Sequence, residues 1–314
     1  MFIIFDLFIC IILYILVILI LCGYLSLCER KFLAVLQLRI GPGLFFFGMI
    51  TPITDGLKLF IKFTLFIINL DLFYFILCCV VLIYCLFFIW FIIPVGFIIF
   101  IDISLTIFII GIIHMIFNMI CIYTVGCFIF TSCFVYMSCI RIIVFSFLSE
   151  ILLIFSLWSI FSFDNLCYLS LKEMCLSQLY INNIYFLNIY FILFFIIIIL
   201  LDALRLPFDY SECESELVAG IITEFSGIFF VLYSLSESNH IILNSLLLIA
   251  VLIGGLYLSL KFILVLFFII LTPRSILCRF KINDAIYYIC TYILAFLSFY
   301  FIWSFLIKFI ILII

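Results

Sequence analysis

Long uncharged runs fill most of the chain, and polar positions come in short bursts between them. A run of about 20 apolar residues is enough to cross a bilayer as a helix. Such runs lie at 2–26, 70–93, 97–122, 143–163, 184–204, 217–236, 247–271 and 286–312, and they predict eight transmembrane helices. The stretch 122–140 carries no charge, and it reads either as an extension of the third span or as a re-entrant segment. Residues 240–271 exceed what one upright helix needs, which predicts tilt or a short interfacial piece. Continuous runs, in place of short alternating segments, exclude a barrel. The fold class is therefore all-α and polytopic, a single transmembrane domain over 1–314.

One segment keeps helical spacing without being apolar enough to span. In Thr51–Lys62 the polar positions Thr51, Thr54, Asp55, Lys58 and Lys62 recur along one side. Pro52 suits a first helical turn and Thr51 is placed to cap it. The segment predicts an amphipathic helix lying in the membrane interface, within a polar connection over 27–63. Its bland role is a surface anchor, and its sharper one is the floor of a lipophilic cavity.

Composition fixes the solvent. The chain has 314 residues, of which 71% are hydrophobic and 9% charged, with a mean hydropathy of +1.67. Soluble domains carry about 25% charge, so the surroundings of these spans are lipid. The 15 cysteines form no metal or disulfide spacing, and Cys10, Cys22, Cys78, Cys79 and Cys85 sit inside apolar runs, where small buried thiols are expected. The first run lacks a basic leader and a small-residue cleavage site and carries Asp6, so it is expected to remain as a span.

Charge placement gives orientation. Arg30, Lys31, Arg39, Lys58, Lys62, Arg141, Arg205, Arg274, Arg279 and Lys281 all fall on the side reached after the first span. Lys172 and Lys308 fall on the other side, and Lys261 within a span. The positive-inside rule makes the basic side the matrix or cytoplasmic one, with both termini opposite.

Acidic residues give the candidate chemistry. Asp202, Asp209, Glu212, Glu214, Glu216, Glu224 and Glu237 crowd one window, with Arg205 as its one cation. A charge at the centre of a lipid-facing helix costs roughly 2.5–3.5 kcal/mol, so these groups need protein, water or a partner around them. Pro207 ends the fifth span, and the two-residue spacing of Glu212, Glu214 and Glu216 suits a loop over 205–216. Glu216, Glu224 and Glu237 are then expected along the sixth span, Glu224 about 12 Å beyond Glu216 and Glu237 about 20 Å further. Glu150 and Asp202 can join them. Burial and close like charges disfavour ionised carboxyls, so a staged set can exchange protons near neutral pH. The plainer reading is that these carboxylates only pair with Arg141, Arg205, Arg274, Arg279 or a neighbouring subunit. His114 and His240 are too few for bis-histidine haem and read as packing or interface residues. The sequence has no phosphate-binding glycine loop, no CxxC pair and no nucleophile–base set, and no nucleic-acid partner is expected.

Specific runs carry a family resemblance. Glu29-Arg30-Lys31-Phe32-Leu33, then Gln37-Leu38-Arg39 and Gly41-Pro42, resemble the first matrix loop of the subunit 1 family of mitochondrial NADH dehydrogenase. Gly56-Leu57-Lys58-Leu59-Phe60-Ile61-Lys62 looks like that family's surface helix. Arg205-Leu206-Pro207-Phe208-Asp209, Glu212 and Glu214-Ser215-Glu216-Leu217-Val218-Ala219-Gly220, followed by Glu224, are similar to its acidic loop and sixth span. Glu237, Arg141 before Glu150, and Arg274 with Arg279-Phe280-Lys281 also fit. The resemblance covers nearly the whole chain, though 64–140 and 163–200 match only in hydropathy. The sequence departs from the family pattern at Ile40, Phe63, Cys213, Cys278 and Asp202.

The resemblance implies a core membrane subunit of respiratory complex I, with ubiquinone as substrate and no redox centre of its own. Flavin and iron–sulfur clusters are expected in partner subunits, beside other membrane and peripheral subunits and lipids. Arg39, Asp55, Asp209, Glu212, Glu214 and Glu216 would line or adjoin the quinone chamber. Glu150, Asp202, Glu224 and Glu237 would form the proton path, and Arg141, Arg205, Arg274 and Arg279 would balance charge. The implied location is the mitochondrial inner membrane with both termini on the intermembrane-space side. A U-rich, GC-poor coding bias, seen in 44 phenylalanines and five prolines, suits a protist mitochondrial genome. Rival readings are the equivalent subunit of a membrane-bound hydrogenase, a non-redox transporter or channel with an acidic gate, and a purely structural anchor.

Overall fold

The computed structural model describes residues 2–43, 48–63, 72–92, 113, 116, 120, 132–163, 185–210, 214–218, 220–249 and 277–313. Its elements are α1 (Phe2–Leu36), α2 (Thr51–Ile61), α3 (Leu72–Ile92), α4 (Cys133–Phe163), α5 (Tyr185–Asp202), the short α6 (Glu214–Leu217) and α7 (Ile228–Leu248). Last come α8 (Ile282–Tyr288) and α9 (Leu294–Ile313), joined by a π-helical turn over Ile289–Ile293. No strand occurs among the described residues. Four stretches among them are long and apolar enough to cross a membrane: Ile9–Leu36, Phe73–Ile92, Cys133–Leu157 and Ile282–Tyr300. Most of the predicted spans 97–122 and 247–271 lies outside the described residues.

α4 packs between α5 and α9, and α7 packs against α1, α3 and α5. The core lies where α4, α5 and α7 meet, around Phe145, Leu152, Ile198, Leu201 and Leu246. Ile9, Leu13, Leu16 and Ile20 on α1 point outward, as expected where lipid is the solvent.

Three boundaries outside the sixth span differ from the hydropathy reading. α1 continues through Glu29-Arg30-Lys31 to Leu36, so those charges ride on a helix end and not on a loop. At about 1.5 Å per residue α1 is longer than the apolar thickness of a bilayer, so its charged end can stand in the polar region. α4 starts at Cys133 and not at 143, which assigns 133–140 to the fourth span and places Arg141 inside it. The last helical run begins at Ile282.

The sixth span differs most. The expected helix over 217–236 is broken by left-handed backbone at Val218, Gly220 and Gly227, with a 3-10 turn over Gly220–Glu224 between them. The helix proper, α7, runs from Ile228 to Leu248. Averaged hydropathy hides the break, because Ile221 and Phe225 stay buried against α4. It also ends the span too soon, because Asn239, His240 and Asn244 are polar. Those groups are tolerated because they bond to neighbouring helices.

α2 matches its expectation as a helix with no buried residue. Thr51 does not cap it. Its hydroxyl donates to the Gly48 carbonyl at 2.7 Å. Gly48 has φ +81°, and a Cβ there would collide with the Pro42 carbonyl oxygen. The turn leading into α2 therefore requires glycine.

Candidate functional site

Two helix ends build the charged face in the same way. At the end of α5, Leu204 N–H donates to Leu201 O and Arg205 N–H to Leu200 O, both at 3.2 Å, with Leu204 left-handed at φ +48°. At the end of α1, Leu38 N–H donates to Val35 O at 3.1 Å and Arg39 N–H to Ala34 O at 2.9 Å, with Leu38 at φ +54°. Both are Schellman endings with leucine where glycine is usual. Each reverses the chain and places an arginine just past the helix. Arg205 then reaches Glu29 of α1 at 3.8 Å, while Arg39 is exposed. Arg30 pairs with Asp55 of α2 at 3.2 Å, with both side chains more than half exposed.

The segment after Arg205 is fastened to 279–280. Phe280 N–H donates to Pro207 O at 3.4 Å, and the Tyr210 hydroxyl donates to Phe280 O at 3.0 Å. The Tyr210 ring stacks on Phe145 of α4 at 4.4 Å, and the Arg279 guanidinium lies 5.1 Å from the centre of the same ring. Burial pushes the Tyr210 phenol up to about 12, against the Arg279 charge, which favours the phenolate. Burial also draws Arg279 below the usual arginine value, with Asp209 opposing that shift. Glu216 on α6 accepts from Arg141 at 2.7 Å and lies 3.7 Å from Arg279. Arg141 and Arg279 thus share one half-exposed carboxylate.

A second polar cluster is buried where α4, α5 and α7 meet. The Asp202 Oδ1 accepts from the Ser149 hydroxyl at 3.0 Å, and Oδ2 accepts from Asn244 Nδ2 at 2.7 Å. His240 Nε2 lies 3.3 Å from the same Oδ2, and the His240 and Asp202 side chains are only 4% and 1% exposed. Glu150, next to Ser149 on α4, is buried too. One turn before His240 on α7 is Glu237, and one position before it Asn239 accepts from Trp90 Nε1 at 2.5 Å.

The sequence-derived candidates divide accordingly. Glu216, Arg141 and Arg279 converge, with Asp209 near Arg279. Asp55 and Arg205 make separate ion pairs with α1. Asp202 and Glu150 lie on facing helices in the buried layer. Glu224 ends the 3-10 turn beside α4, and Glu237 is on α7. Glu216, Glu224 and Glu237 therefore occupy three separate elements, and the spacing expected along one helix does not apply. Glu212 and Arg274 lie outside the described residues, as does the Glu214 side chain. His240, read as a packing or interface residue, is buried and also stands in ion-pair range of Asp202, and His114 lies outside the described residues. A polar residue in an otherwise apolar span was the available signal, but its partner is far away in sequence.

The arrangement defines a polytopic helical membrane protein with ion pairs at one end and a hydrogen-bonded carboxylate inside the bundle. Residues 9–305 match the family model described as NADH dehydrogenase. Over 303 residues the chain is 46% identical to NADH-ubiquinone oxidoreductase chain 1 of Leishmania tarentolae, covering 96% of this chain and 97% of that protein. It is 43% identical over 58 residues to the protein of the same name from Paramecium tetraurelia, covering 18% of this chain and 22% of that one. A shorter likeness, 46% identity over 57 residues, is to a component of the F(420)H(2) dehydrogenase of Methanosarcina mazei, covering 18% of this chain and 16% of that one. The chain belongs to the NADH dehydrogenase family.

Proposed function

We propose that this chain is a core membrane subunit of respiratory complex I, multi-pass in the mitochondrial inner membrane, where ubiquinone reduction is coupled to proton translocation. The near full-length likeness to an NADH-ubiquinone oxidoreductase chain 1 carries the reading. The geometry supports a division of labour. Reducing a quinone to a quinol takes two electrons and two protons. The electrons come from clusters and flavin in peripheral partner subunits. This chain supplies the membrane wall of the chamber and groups that hold or pass protons.

Arg39, Asp55, Asp209, Glu212, Glu214 and Glu216 belong to the chamber side. Glu216, shared by Arg141 and Arg279, is held in place at the end of the acidic loop. Glu150, Asp202, Glu224 and Glu237 belong to the proton path, and Arg141, Arg205, Arg274 and Arg279 balance their charge. The basic end faces the matrix, which sets both termini on the intermembrane-space side. No geometric feature among the described residues favours the hydrogenase or acidic-gated transporter reading over this one.

The test is mild solubilisation of native inner membranes, native-gel separation and mass spectrometry of the band containing this chain. Co-migration with NADH:quinone reductase activity is expected. Migration apart from that activity would refute the assignment.

A further inference from the structure

We propose that His240 is a positioning and proton-exchanging partner of Asp202, so that the pair is a relay node in the proton path. The inference rests on the proposed function above and adds a residue to it. Its basis is geometric. His240 Nε2 lies 3.3 Å from Asp202 Oδ2 across the α5–α7 contact, and both side chains are shielded from solvent. At that separation a proton on Nε2 can pass to Oδ2 after a small approach. The exchange is balanced within the pair. Imidazolium beside carboxylate becomes imidazole beside carboxylic acid, one N–H bond breaks, one O–H bond forms, and net charge is unchanged.

The neighbours can serve both states. The Ser149 hydroxyl has one hydrogen and two acceptors in reach, Asp202 Oδ1 at 3.0 Å and the Ser146 carbonyl at 2.8 Å. With Asp202 ionised, Ser149 donates to Oδ1. With the proton on Oδ2, the new O–H donates back to His240 Nε2, and Ser149 keeps its bond to Oδ1. Asn244 holds Oδ2 in place at 2.7 Å. A carboxylate that is hydrogen-bonded in both charge states can change state without stranding a buried polar group. Further members of the proposed path adjoin the node in sequence, since Glu150 follows Ser149 and Glu237 lies one turn before His240.

The test uses the assembled complex in inner-membrane vesicles, with rates normalised to the complex on native gels. His240→Gln keeps a polar side chain but cannot carry the proton. It is expected to lower kcat for quinone reduction by about tenfold or more, within the range of proton-transfer effects, with KM for quinone little changed. The solvent deuterium isotope effect is expected to rise as the slowed transfer becomes limiting. Ser149→Ala is the second variant, since it makes only a small change in packing, and it is expected to raise the isotope effect with a milder loss of rate. An assembled His240→Gln complex with wild-type kcat and isotope effect would overturn the proposal. If His240→Gln does not assemble, a wild-type isotope effect in Ser149→Ala overturns it instead. Asp202→Asn separates the two levels. Loss of coupled turnover in Asp202→Asn beside a normal His240→Gln sinks the His240 inference alone, whereas absence of this chain from the reductase band sinks the function assignment.

Discussion

Arg141 donates to Glu216 at 2.7 Å, tying α4 to a four-residue helix that lies 75 positions further along the chain. Arg279 approaches the same oxygen at 3.7 Å. Because Glu216 is half exposed, each contact contributes little to stability, about 1 kcal/mol or less. Their effect is on where the acidic loop sits. Arg141→Met is therefore expected to assemble normally, with a melting temperature close to that of the parent complex. Quinone reduction should fall by about tenfold, because misplacing a site group by about an ångström has effects of that order or larger. Native gels and steady-state rates on the same vesicles check it. A large loss of assembled complex would show that the pair is structural.

Asp202 poses the opposite balance. Its side chain is buried, and Ser149, Asn244 and His240 all address it. Truncating one member of a buried hydrogen-bonded charge pair costs about 3–5 kcal/mol, since the remaining groups are left unmatched. Asp202→Ala should greatly reduce the yield of assembled complex. Asp202→Asn keeps the shape and much of the hydrogen bonding, so it should assemble better while losing coupled turnover. Comparing assembly with proton uptake in the two variants separates packing from proton transfer. Equal assembly of the two would count against the buried network.

Much of this is legible in the sequence, and the limits have physical causes. The surface helix over Thr51–Ile61 shows as a helical period of polar groups. The acidic window and the basic side show as charge counts. The break over 218–227 does not show, because Ile221 and Phe225 are buried as they would be in a continuous helix. Nor do the Schellman endings at Leu38 and Leu204, where leucine adopts backbone that usually signals glycine. The role of His240 depends on Asp202, a contact between two helices that no local pattern encodes. Glu224, expected on a continuous span, instead ends a 3-10 turn.

Tyr210 makes a prediction about alkaline pH. Its phenol is raised from 10.0 to about 12 by burial. A raised value means the folded state holds its proton more tightly than the unfolded state. The stabilisation is fully present below pH 10, and it is lost as pH rises through about 12. Tyr210→Phe removes that dependence together with the hydrogen bond to Phe280, which is worth about 1 kcal/mol. The parent complex should therefore melt above the variant at neutral pH, and the gap should close as pH is taken from 10 towards 12. Thermal inactivation of both complexes across that range measures the gap, and a gap that widened with pH would contradict the assignment of the shift.

The two glycines flanking the start of the surface helix should respond in opposite ways to alanine. Gly48 has φ +81°, and an added Cβ would collide with the backbone oxygen of Pro42. Alanine there is strained in its own backbone and also displaces a neighbour that cannot swing aside. The turn that sets α2 against α1 should shift, and with it the Arg30–Asp55 contact. Gly56 lies inside α2 with nothing within 4 Å of a built Cβ. Alanine there gains helix propensity, about 0.5–1 kcal/mol. Gly48→Ala should lower the thermal stability of the assembled complex and its quinone reductase rate, whereas Gly56→Ala should hold or raise stability. The pair of melting curves is decisive because both variants add the same methyl group a short distance apart. If both destabilised equally, α2 would be held by a partner subunit packed over Gly56, and the open face seen along this helix would be an interface in the complex.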